Sequence, residues 1–261
     1  MKFSISAACG SHIGRVRLKN EDNYYFYGSW RDPADCGTVG TMYHLDANPK
    51  NLFLAVCDGM GGESFGDIAS YSAVRKMACP KWRYVHRFKK NEIFLRGFVK
   101  ELNQAVLDAK KQLLTNHMGT TLEGLWFTQR CVYSFGAGDS RCYLLRNREL
   151  VQISRDDVED LFCNTKRKPP LTQYLGIDPL EMELDPRIQK LDIRYGDCYL
   201  LCSDGVSDML SIHQIEAILN SEQNPKCAVD RVIEESLLSG GKDNITAIVC
   251  KICEGGFRND E

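Results

Sequence analysis

The sequence predicts an α+β fold in which two antiparallel β-sheets pack against each other and helices flank them. Strand-like segments cluster at both ends and in the middle of the 261-residue chain, and two helical segments stand together between them. This order lacks the regular alternation of strands and helices that is typical of a doubly wound parallel sheet. No internal repeat or flexible linker divides the sequence, which predicts one domain over residues 1–261.

The predicted strands are short apolar or alternating runs bounded by turn-forming residues. Leu52–Cys57, for example, is continuously apolar and ends at the turn signal Asp58-Gly59, a pattern typical of a buried strand. A further short strand contains Leu150–Ile153. The other predicted strands cover about residues 3–8, 23–27, 38–45, 121–128, 131–137, 141–146, 188–193, 197–203 and 245–252.

Helical periodicity is clearest from residue 91 to residue 114, where apolar side chains recur at steps of three and four residues. A second helix is predicted at about residues 66–77, after the Asp58 motif. Two more are predicted at about residues 211–220 and 225–238.

Charge and composition exclude several classes of function. The net charge of −2 provides no general attraction to nucleic acid or to an anionic membrane. No apolar stretch approaches the roughly 20 residues that span a bilayer, and residues 1–6 lack the apolar segment of a signal peptide. The twelve cysteines lie mostly inside apolar runs and are expected to be reduced. We expect a cytoplasmic protein that binds neither nucleic acid nor membrane.

Short acidic motifs are the strongest functional signal. Each acidic residue stands beside Gly, Ser or Asn, and most follow an apolar run, so the carboxylates are expected to converge at one rim. Neighbouring carboxylates repel each other unless a cation neutralises them, and ligand sets made of oxygen suit Mg²⁺ or Mn²⁺. The motifs therefore predict a metal-dependent hydrolase. They are Asn20-Glu21-Asp22, Asp58-Gly59-Met60-Gly61-Gly62, Gly138-Asp139-Ser140-Arg141, Ser203-Asp204-Gly205 and Lys242-Asp243-Asn244.

Each motif also has a simpler explanation when it is taken alone. Asp58-Gly59 could form an ordinary β-turn, and Asp204 could cap a helix. Asn20-Glu21-Asp22 could be a solvated acidic loop. Asp139 could belong to a plain turn with Arg141 as its salt-bridge partner. The number of motifs favours the metal site over these separate explanations.

The motifs, in their order along the chain, resemble those of the metal-dependent protein phosphatases, the protein phosphatase 2C family, in their compact bacterial form. The resemblance spans about residues 5–252. It implies a four-layer α-β-β-α sandwich with the metal centre at one end of the β-sandwich. The other matching motifs are Gly14-Arg15-Val16-Arg17, Ala69-Ser70, Gly119-Thr120-Thr121, Leu175-Gly176 and Gly241-Lys242-Asp243-Asn244-Ile245-Thr246.

The resemblance implies a metal-binding role for the first two acidic motifs. Asp58 would bridge two metal ions, and the carbonyl of Gly59 would bind the second of them. Glu21 and Asp22 would also hold the second ion, partly through water molecules.

The later motifs would complete the site by the same resemblance. Asp204 and Asp243 would bind the first ion, and Asp139 would join Asp204 at a third, weakly bound ion. Arg17 would bind the substrate phosphate, since a guanidinium grips two phosphate oxygens at once. Arg15 would point the same way if this segment were a strand, so a surface salt bridge remains the alternative for either arginine.

The chain departs from the family pattern at several positions. Glu63 stands where bacterial members often have a His, and Gln173 replaces a common Arg. The step Ser154-Arg155-Asp156-Asp157 lacks the His that usually follows its Asp. Met60 stands where some eukaryotic relatives have a His, so the general acid is not identified and a metal-bound water is the candidate.

A short segment from about residue 157 to residue 170, here called the flap, is expected to recognise the substrate. It contains Lys166, Arg167 and Lys168 before two prolines. Three basic residues at the rim are suited to an acidic or phosphorylated protein, without contact to the metals. The alternative is an ordinary solvated loop.

We expect a phosphoserine/phosphothreonine phosphatase that uses two Mn²⁺ or Mg²⁺ ions, with a third bound weakly. A water held between the two ions would attack phosphorus directly. Its substrates would be phosphoproteins made by a cognate Ser/Thr kinase in bacterial signalling, and the enzyme would be a monomer. Two alternatives remain: a catalytically weak regulator that binds phosphoproteins on the same fold, and a carboxylate-metal phosphodiesterase. The intact acidic set disfavours the first, and the lack of a broad basic face disfavours the second.

Overall fold

The computed structural model describes residues 3–35, 38–46, 51–61, 65–79, 91–129, 131–159 and 168–254. Within them the chain forms thirteen strands and five helices, close to the predicted set. The strands are β1 (Phe3–His12), β2 (Asn23–Phe26), β3 (Val39–Asp46), β4 (Leu52–Cys57), β5 (Gly59–Met60), β6 (Gly119–Thr120), β7 (Leu122–Phe127), β8 (Cys131–Ala137), β9 (Arg141–Arg146), β10 (Glu149–Gln152), β11 (Arg187–Asp192), β12 (Cys198–Cys202) and β13 (Ile245–Glu254). The helices are α1 (Gly66–Met77), α2 (Asn91–Leu113), α3 (Asp204–Ser207), α4 (Ile212–Ser221) and α5 (Pro225–Leu238).

The strands form two antiparallel sheets, as the sequence predicts. The six-stranded sheet has the order β10-β9-β12-β13-β1-β3, and the five-stranded sheet has the order β11-β8-β7-β4-β2. β1 continues to His12, beyond its predicted end at residue 8, because it pairs with β13 along its whole length. β5 and β6 form a small separate ladder that the sequence pattern does not predict.

Helices cover the outer face of each sheet and complete the α-β-β-α sandwich. α1 and α2 pack on the five-stranded sheet, where Phe98 of α2 contacts Phe135 of β8. α3, α4 and α5 pack on the six-stranded sheet, and a third apolar core lies between the sheets. None of the helices in the described ranges is long and apolar enough to cross a bilayer.

Side-chain alternation explains the continuous apolar sequence of β4. Leu54 and Val56 lie in the core between the sheets, whereas Ala55 and Cys57 lie in the core beneath α1 and α2. Successive residues of a strand face opposite sides, so a strand in an inner layer of the sandwich is buried on both faces. Asp58 follows directly, and it therefore lies at the end of the sandwich.

Candidate metal centre

Five aspartates lie where strands of the two sheets begin or end. Asp22 precedes β2, Asp58 follows β4 and Asp139 follows β8, all in the five-stranded sheet. Asp204 follows β12 and Asp243 precedes β13 in the six-stranded sheet. Burial, and then the charges of the other four aspartates, raise the pKa of Asp58 well above its ordinary value. The structure thus brings the predicted aspartates together, and we call them the acidic cluster.

Asp22 is fully buried and connects the two sheets. The hydroxyl of Ser203, which follows β12, donates a hydrogen bond of 2.6 Å to Asp22 Oδ2. Burial raises the pKa of Asp22 to about 7, although hydrogen bonds from Ser203 and Thr246 oppose the rise. In the metal-free protein Asp22 therefore exchanges its proton near neutral pH.

Two carboxylate oxygens in the acidic cluster fit a divalent cation. Asp22 Oδ1 and Asp204 Oδ1 are buried and have no hydrogen-bond partner among the described residues. Buried polar atoms are normally satisfied, and a buried carboxylate that lacks a hydrogen-bond donor can be satisfied by a metal ion. The donors are oxygens, which is the ligand type that Mg²⁺ and Mn²⁺ prefer.

Threonines before β7 hold Asp58 in place. Asp58 N donates a hydrogen bond of 2.9 Å to Thr121 Oγ1, and the Asp58 carbonyl accepts 2.9 Å hydrogen bonds from Thr121 N and Thr120 Oγ1. Thr121 Oγ1 also shares a hydrogen bond of 2.7 Å with Ser140 Oγ, next to Asp139. Thr121 therefore connects the segment that bears Asp58, at the end of β4, to the segment that bears Asp139, after the end of β8.

Two glycines let the motif segments approach each other closely. A Cβ atom on Gly59 would lie 2.1 Å from the Gly66 carbonyl oxygen, and one on Gly205 would lie 1.9 Å from the Asn244 carbonyl oxygen. Both distances are far below van der Waals contact, so a larger residue would push the backbones apart. Gly59 therefore keeps β5 against the start of α1, and Gly205 keeps α3 against the segment before β13.

Asn244, the residue after Asp243, binds the loop between β1 and β2 through its side chain. Its side-chain oxygen accepts a hydrogen bond of 2.8 Å from Glu21 N, and its side-chain nitrogen donates to the carbonyls of Ile13 at 2.8 Å and Lys19 at 3.0 Å. One buried amide thus makes three backbone hydrogen bonds across more than 220 residues of sequence separation. These bonds determine where the Asn20-Glu21-Asp22 motif lies.

Arg31 is a supporting residue that the sequence analysis missed. It is only 1% exposed, and its guanidinium donates hydrogen bonds to the carbonyls of Asn20, Asp22 and Asp35. The bonds to Asp22 and Asp35 are each 2.7 Å long. Arg31 therefore fixes the backbone of the loop that bears Asp22. No local sequence signal marks it, because these acceptors are main-chain carbonyls, which every residue has.

Arg17 lies beside the acidic cluster and pairs with Asp243. Its Nη2 lies 2.6 Å from Asp243 Oδ2, and its side chain is 52% exposed. The hydrogen bond to Asp243, with the charges of Glu21 and Asp58, raises its pKa. Arg15 and Arg17 do not share the face of a strand, because residues 13–19 form a loop between β1 and β2.

Two other side chains differ from the sequence-based picture. The carboxylate of Glu21 accepts a hydrogen bond from the Gly66 amide at the start of α1. Arg141 is not the partner of Asp139. It forms a bidentate pair with Asp156 instead, with nitrogen–oxygen distances of 2.7 Å and 3.1 Å.

Lys168 of the flap does not lie at the rim, where the sequence analysis places it. Its ammonium group contacts Asp139 Oδ2 at 2.6 Å and makes a closer contact with Asp204 Oδ2, so it faces the acidic cluster and not a partner at the rim. Lys166, Arg167 and Glu63 lie outside the described residues. Among the residues that are described, no three His, Cys, Asp or Glu side chains form a ready-made coordination shell. Lys168 and Arg17 each engage carboxylates that the prediction assigns to metal ions.

Comparison with known proteins identifies the family. Residues 42–237 match the family model described as protein phosphatase 2C, which is more than half of the chain. The chain belongs to the protein phosphatase 2C family. The resemblance carried by the acidic motifs is thereby confirmed, and so is the prediction that the protein is an enzyme of the protein phosphatase class.

Relatives within the protein phosphatase 2C family cover nearly the whole chain. It is 32% identical over 252 residues to the serine/threonine phosphatase stp of Listeria monocytogenes, covering 90% of this chain and 91% of that protein. It is 33% identical over 263 residues to the serine/threonine protein phosphatase PstP of Mycobacterium tuberculosis, covering 95% of this chain and 45% of that protein. A crystal structure of the PstP catalytic domain in complex with two manganese ions matches at a TM-score of 0.74 with 29% identity, covering 97% of this chain and 100% of that chain. The structural match confirms the predicted sandwich.

The metal-free protein is expected to lose stability as pH rises from about 4 to about 7. Across this window folded Asp22 retains a proton that the unfolded chain releases, so the free energy of unfolding falls with rising pH. Asp22→Asn should flatten this fall, because an amide cannot ionise. Thermal unfolding in chelator over a pH series measures both. Asp192→Asn, at the exposed end of β11, is the control, and an equally steep fall in Asp22→Asn would contradict the assignment.

Proposed function

We propose that this protein is a metal-dependent phosphatase that hydrolyses phosphoserine and phosphothreonine in proteins, with residues 1–261 acting as one domain. The observation that most supports this is the acidic cluster, in which two buried carboxylate oxygens lack a hydrogen-bond partner among the described residues. The names of the relatives stp and PstP support the same choice of substrate residues. We further propose that it acts in the cytoplasm as a monomer.

The acidic cluster would hold two Mn²⁺ or Mg²⁺ ions. Asp58 would lie between them, with Asp204 and Asp243 on the first and Asp22 with the Gly59 carbonyl on the second. When bound, such ions lower the pKa of a water held between them and neutralise phosphate charge. The complex of PstP with two manganese ions supports this number of ions by analogy.

Arg17 would orient the phosphate group. Its guanidinium is half-exposed at the edge of the acidic cluster, so phosphate can reach it from solvent. The hydrogen bond to Asp243 holds it at this edge and leaves other N–H groups of the fork for phosphate oxygens. In the transition state these donors would stabilise negative charge on the oxygens around phosphorus.

A cleft beside Asp58 supports a protein substrate. It has a volume of about 320 Å³ and is lined in part by Met60, His117, Leu171 and Tyr174. Met60 lies two residues after Asp58, so the cleft can receive a side chain that neighbours the phosphorylated residue. Phosphoproteins made by a cognate Ser/Thr kinase would meet this requirement, and a small phosphate ester would leave the cleft unused.

A panel of substrates tests the proposal directly. Chelator-treated protein should not hydrolyse a phosphothreonine peptide or an aryl phosphate, and Mn²⁺ should restore both activities, because the ions supply the nucleophile. A bis-aryl phosphodiester should remain intact. Full activity in excess chelator would contradict the metal centre, preferential cleavage of the diester would favour a phosphodiesterase, and peptide binding without turnover would favour a regulator.

Asp58→Asn and Asp204→Asn are each expected to reduce turnover to less than a tenth of the wild-type value. A tenfold loss corresponds to ~1.4 kcal/mol of barrier, and loss of a direct metal ligand should exceed it. Metal-free Asp58→Asn should unfold at a higher temperature than the metal-free wild type, because it removes a buried carboxylate that lies among four others. Steady-state kinetics with Mn²⁺ and thermal unfolding in chelator measure the two effects. Near wild-type turnover would remove these residues from the ligand set.

Arg17→Lys is expected to raise KM for a phosphopeptide by roughly tenfold, whereas Arg15→Lys should change it by less than about twofold. Lysine keeps the charge at either position but cannot grip two phosphate oxygens at once. The two arginines lie in the same loop, which makes Arg15 a matched control. Equal effects of the two substitutions in steady-state assays, or a larger effect at Arg15, would show that the phosphate-binding role is assigned to the wrong residue.

A further inference from the structure

Lys168 is the basic residue that reaches furthest into the acidic cluster. Its Nζ lies 2.6 Å from Asp139 Oδ2, makes an even closer contact with Asp204 Oδ2, and lies 3.8 Å from Asp208 Oδ2. The side chains of Asp139 and Asp204 are only 7% and 16% exposed. An ion pair of this kind is stronger than one on an open surface, because water screens it less.

The backbone on both sides of Lys168 is tied to the residue before Asp139. Glu159 N donates a hydrogen bond of 3.0 Å to the Pro170 carbonyl, and Thr172 N donates one of 2.8 Å to the Asp157 carbonyl. Asp157 N in turn donates a hydrogen bond of 3.0 Å to the Gly138 carbonyl. The described part of the flap is therefore built onto the turn that bears Asp139, and Lys168 extends from an anchored segment.

The two oxygens of Asp204 face different partners. Oδ2 contacts the ammonium group of Lys168, whereas Oδ1 is buried and has no hydrogen-bond partner among the described residues. The carboxylate can therefore bind the lysine through one oxygen and a metal ion through the other. The two carboxylate oxygens of Asp22 also differ: Oδ2 accepts a hydrogen bond from Ser203, whereas Oδ1 has no hydrogen-bond partner among the described residues and is available to a cation. Lys168 thus competes for Asp139 and for one side of Asp204, but not for the inner oxygens.

An ammonium group and a divalent ion cannot occupy the same space between Asp139 and Asp204. The ammonium offers only donors, so both oxygens that it contacts are engaged. Because it belongs to the chain, it is present at a high effective concentration and needs no ion from solution.

We propose that Lys168 is a tethered cation that replaces a third metal ion between Asp139 and Asp204, so that this phosphatase works with two ions. The inference rests on the proposed function, since it concerns the same acidic cluster. It revises the expectation of a third, weakly bound ion at Asp139. It also makes Lys168 a positioning residue, which would hold its own described segment of the flap to the acidic cluster through charge.

Counting bound ions tests the inference without relying on catalysis. Mn²⁺ would be titrated into the full-length, chelator-treated protein, with calorimetry and Mn²⁺ electron paramagnetic resonance reporting the number of ions. The wild type should bind two ions, and Lys168→Met should bind three, because the substitution keeps an apolar stem but removes the charge. Lys168→Arg should still bind two. Lys190→Ala, on the exposed strand β11, is the control for general loss of positive charge and should also bind two.

A double variant locates the additional ion. Asp139→Asn combined with Lys168→Met should return the number of bound ions to two, because one of the two carboxylates that hold the third ion is lost. In chelator, Lys168→Met should also unfold at a lower temperature than the wild type, since Asp139 and Asp204 lose the cation between them.

The outcomes separate this inference from the proposed function. If the wild type binds three ions, or if Lys168→Met binds only two while remaining folded and active on a phosphothreonine peptide, Lys168 is not a substitute for an ion and the inference fails while the phosphatase function stands. If the wild type binds no Mn²⁺ and does not hydrolyse the peptide, the metal centre itself is wrong and the inference fails with it. If Lys168→Met does not fold, Lys168→Gln is titrated in its place, with the same expected gain of one ion.

Discussion

Repulsion between buried carboxylates is the constraint on which the rest of this structure depends. Aspartates from both sheets share one end of the sandwich, and burial makes the ionised forms of Asp22 and Asp58 costly in free energy. Two basic side chains, Arg17 and Lys168, offset part of this cost by pairing with members of the cluster. In the proposed metal centre, divalent ions would offset the remainder of this cost. A site that satisfied all of its carboxylates internally would have little affinity for metal, so the cost of burial is what makes this centre suitable for binding ions.

Hydrogen bonds from neighbouring side chains also hold the aspartates and their loops in place against this repulsion. Ser203 bonds the carboxylate of Asp22, Thr121 bonds the backbone of Asp58, and Asn244 bonds the backbone of the loop that contains Asp22. Arg31 adds hydrogen bonds to the carbonyls of the same loop. If the acidic cluster binds ions as proposed, these contacts would hold the ligands in place before an ion arrives. Less binding energy is then spent on ordering the protein, which is the general advantage of a preorganised site.

Lys168 of the flap forms ion pairs with Asp139 and Asp204 of the acidic cluster. The flap is joined by backbone hydrogen bonds to the turn before Asp139, and its lysine pairs with carboxylates from both sheets. A substrate that displaced the flap would therefore also change the charge beside Asp204. If the flap contacts a protein substrate as predicted, substrate recognition and ion binding at the proposed metal centre would be coupled through Lys168, and this coupling should weaken with increasing salt as the exposed part of the ion pair is screened.

The sequence alone determined the elements whose signal is local and the residue types of the site. The continuous apolar run of β4 indicates that both faces of this strand are buried. The spacing of apolar residues by three and four in α2 indicates one buried face of a helix. Both elements were therefore predicted with nearly their observed bounds. The acidic motifs likewise indicated metal chemistry, because turn residues beside Asp at strand ends are visible without a structure. The match to the protein phosphatase 2C family agrees with that prediction.

Only the tertiary structure decided which groups neutralise the aspartates and hold them in place. Lys168 contacts a carboxylate 36 residues away in the sequence, and Asn244 bonds a loop more than 220 residues away. The extent of β1 was likewise set by its pairing with β13 at the other end of the chain. Local sequence patterns indicate periodicity and burial, because these properties depend on residues that are close together in the sequence. Ion pairs and hydrogen bonds depend on distance in space, and the packing of the two sheets alone sets that distance.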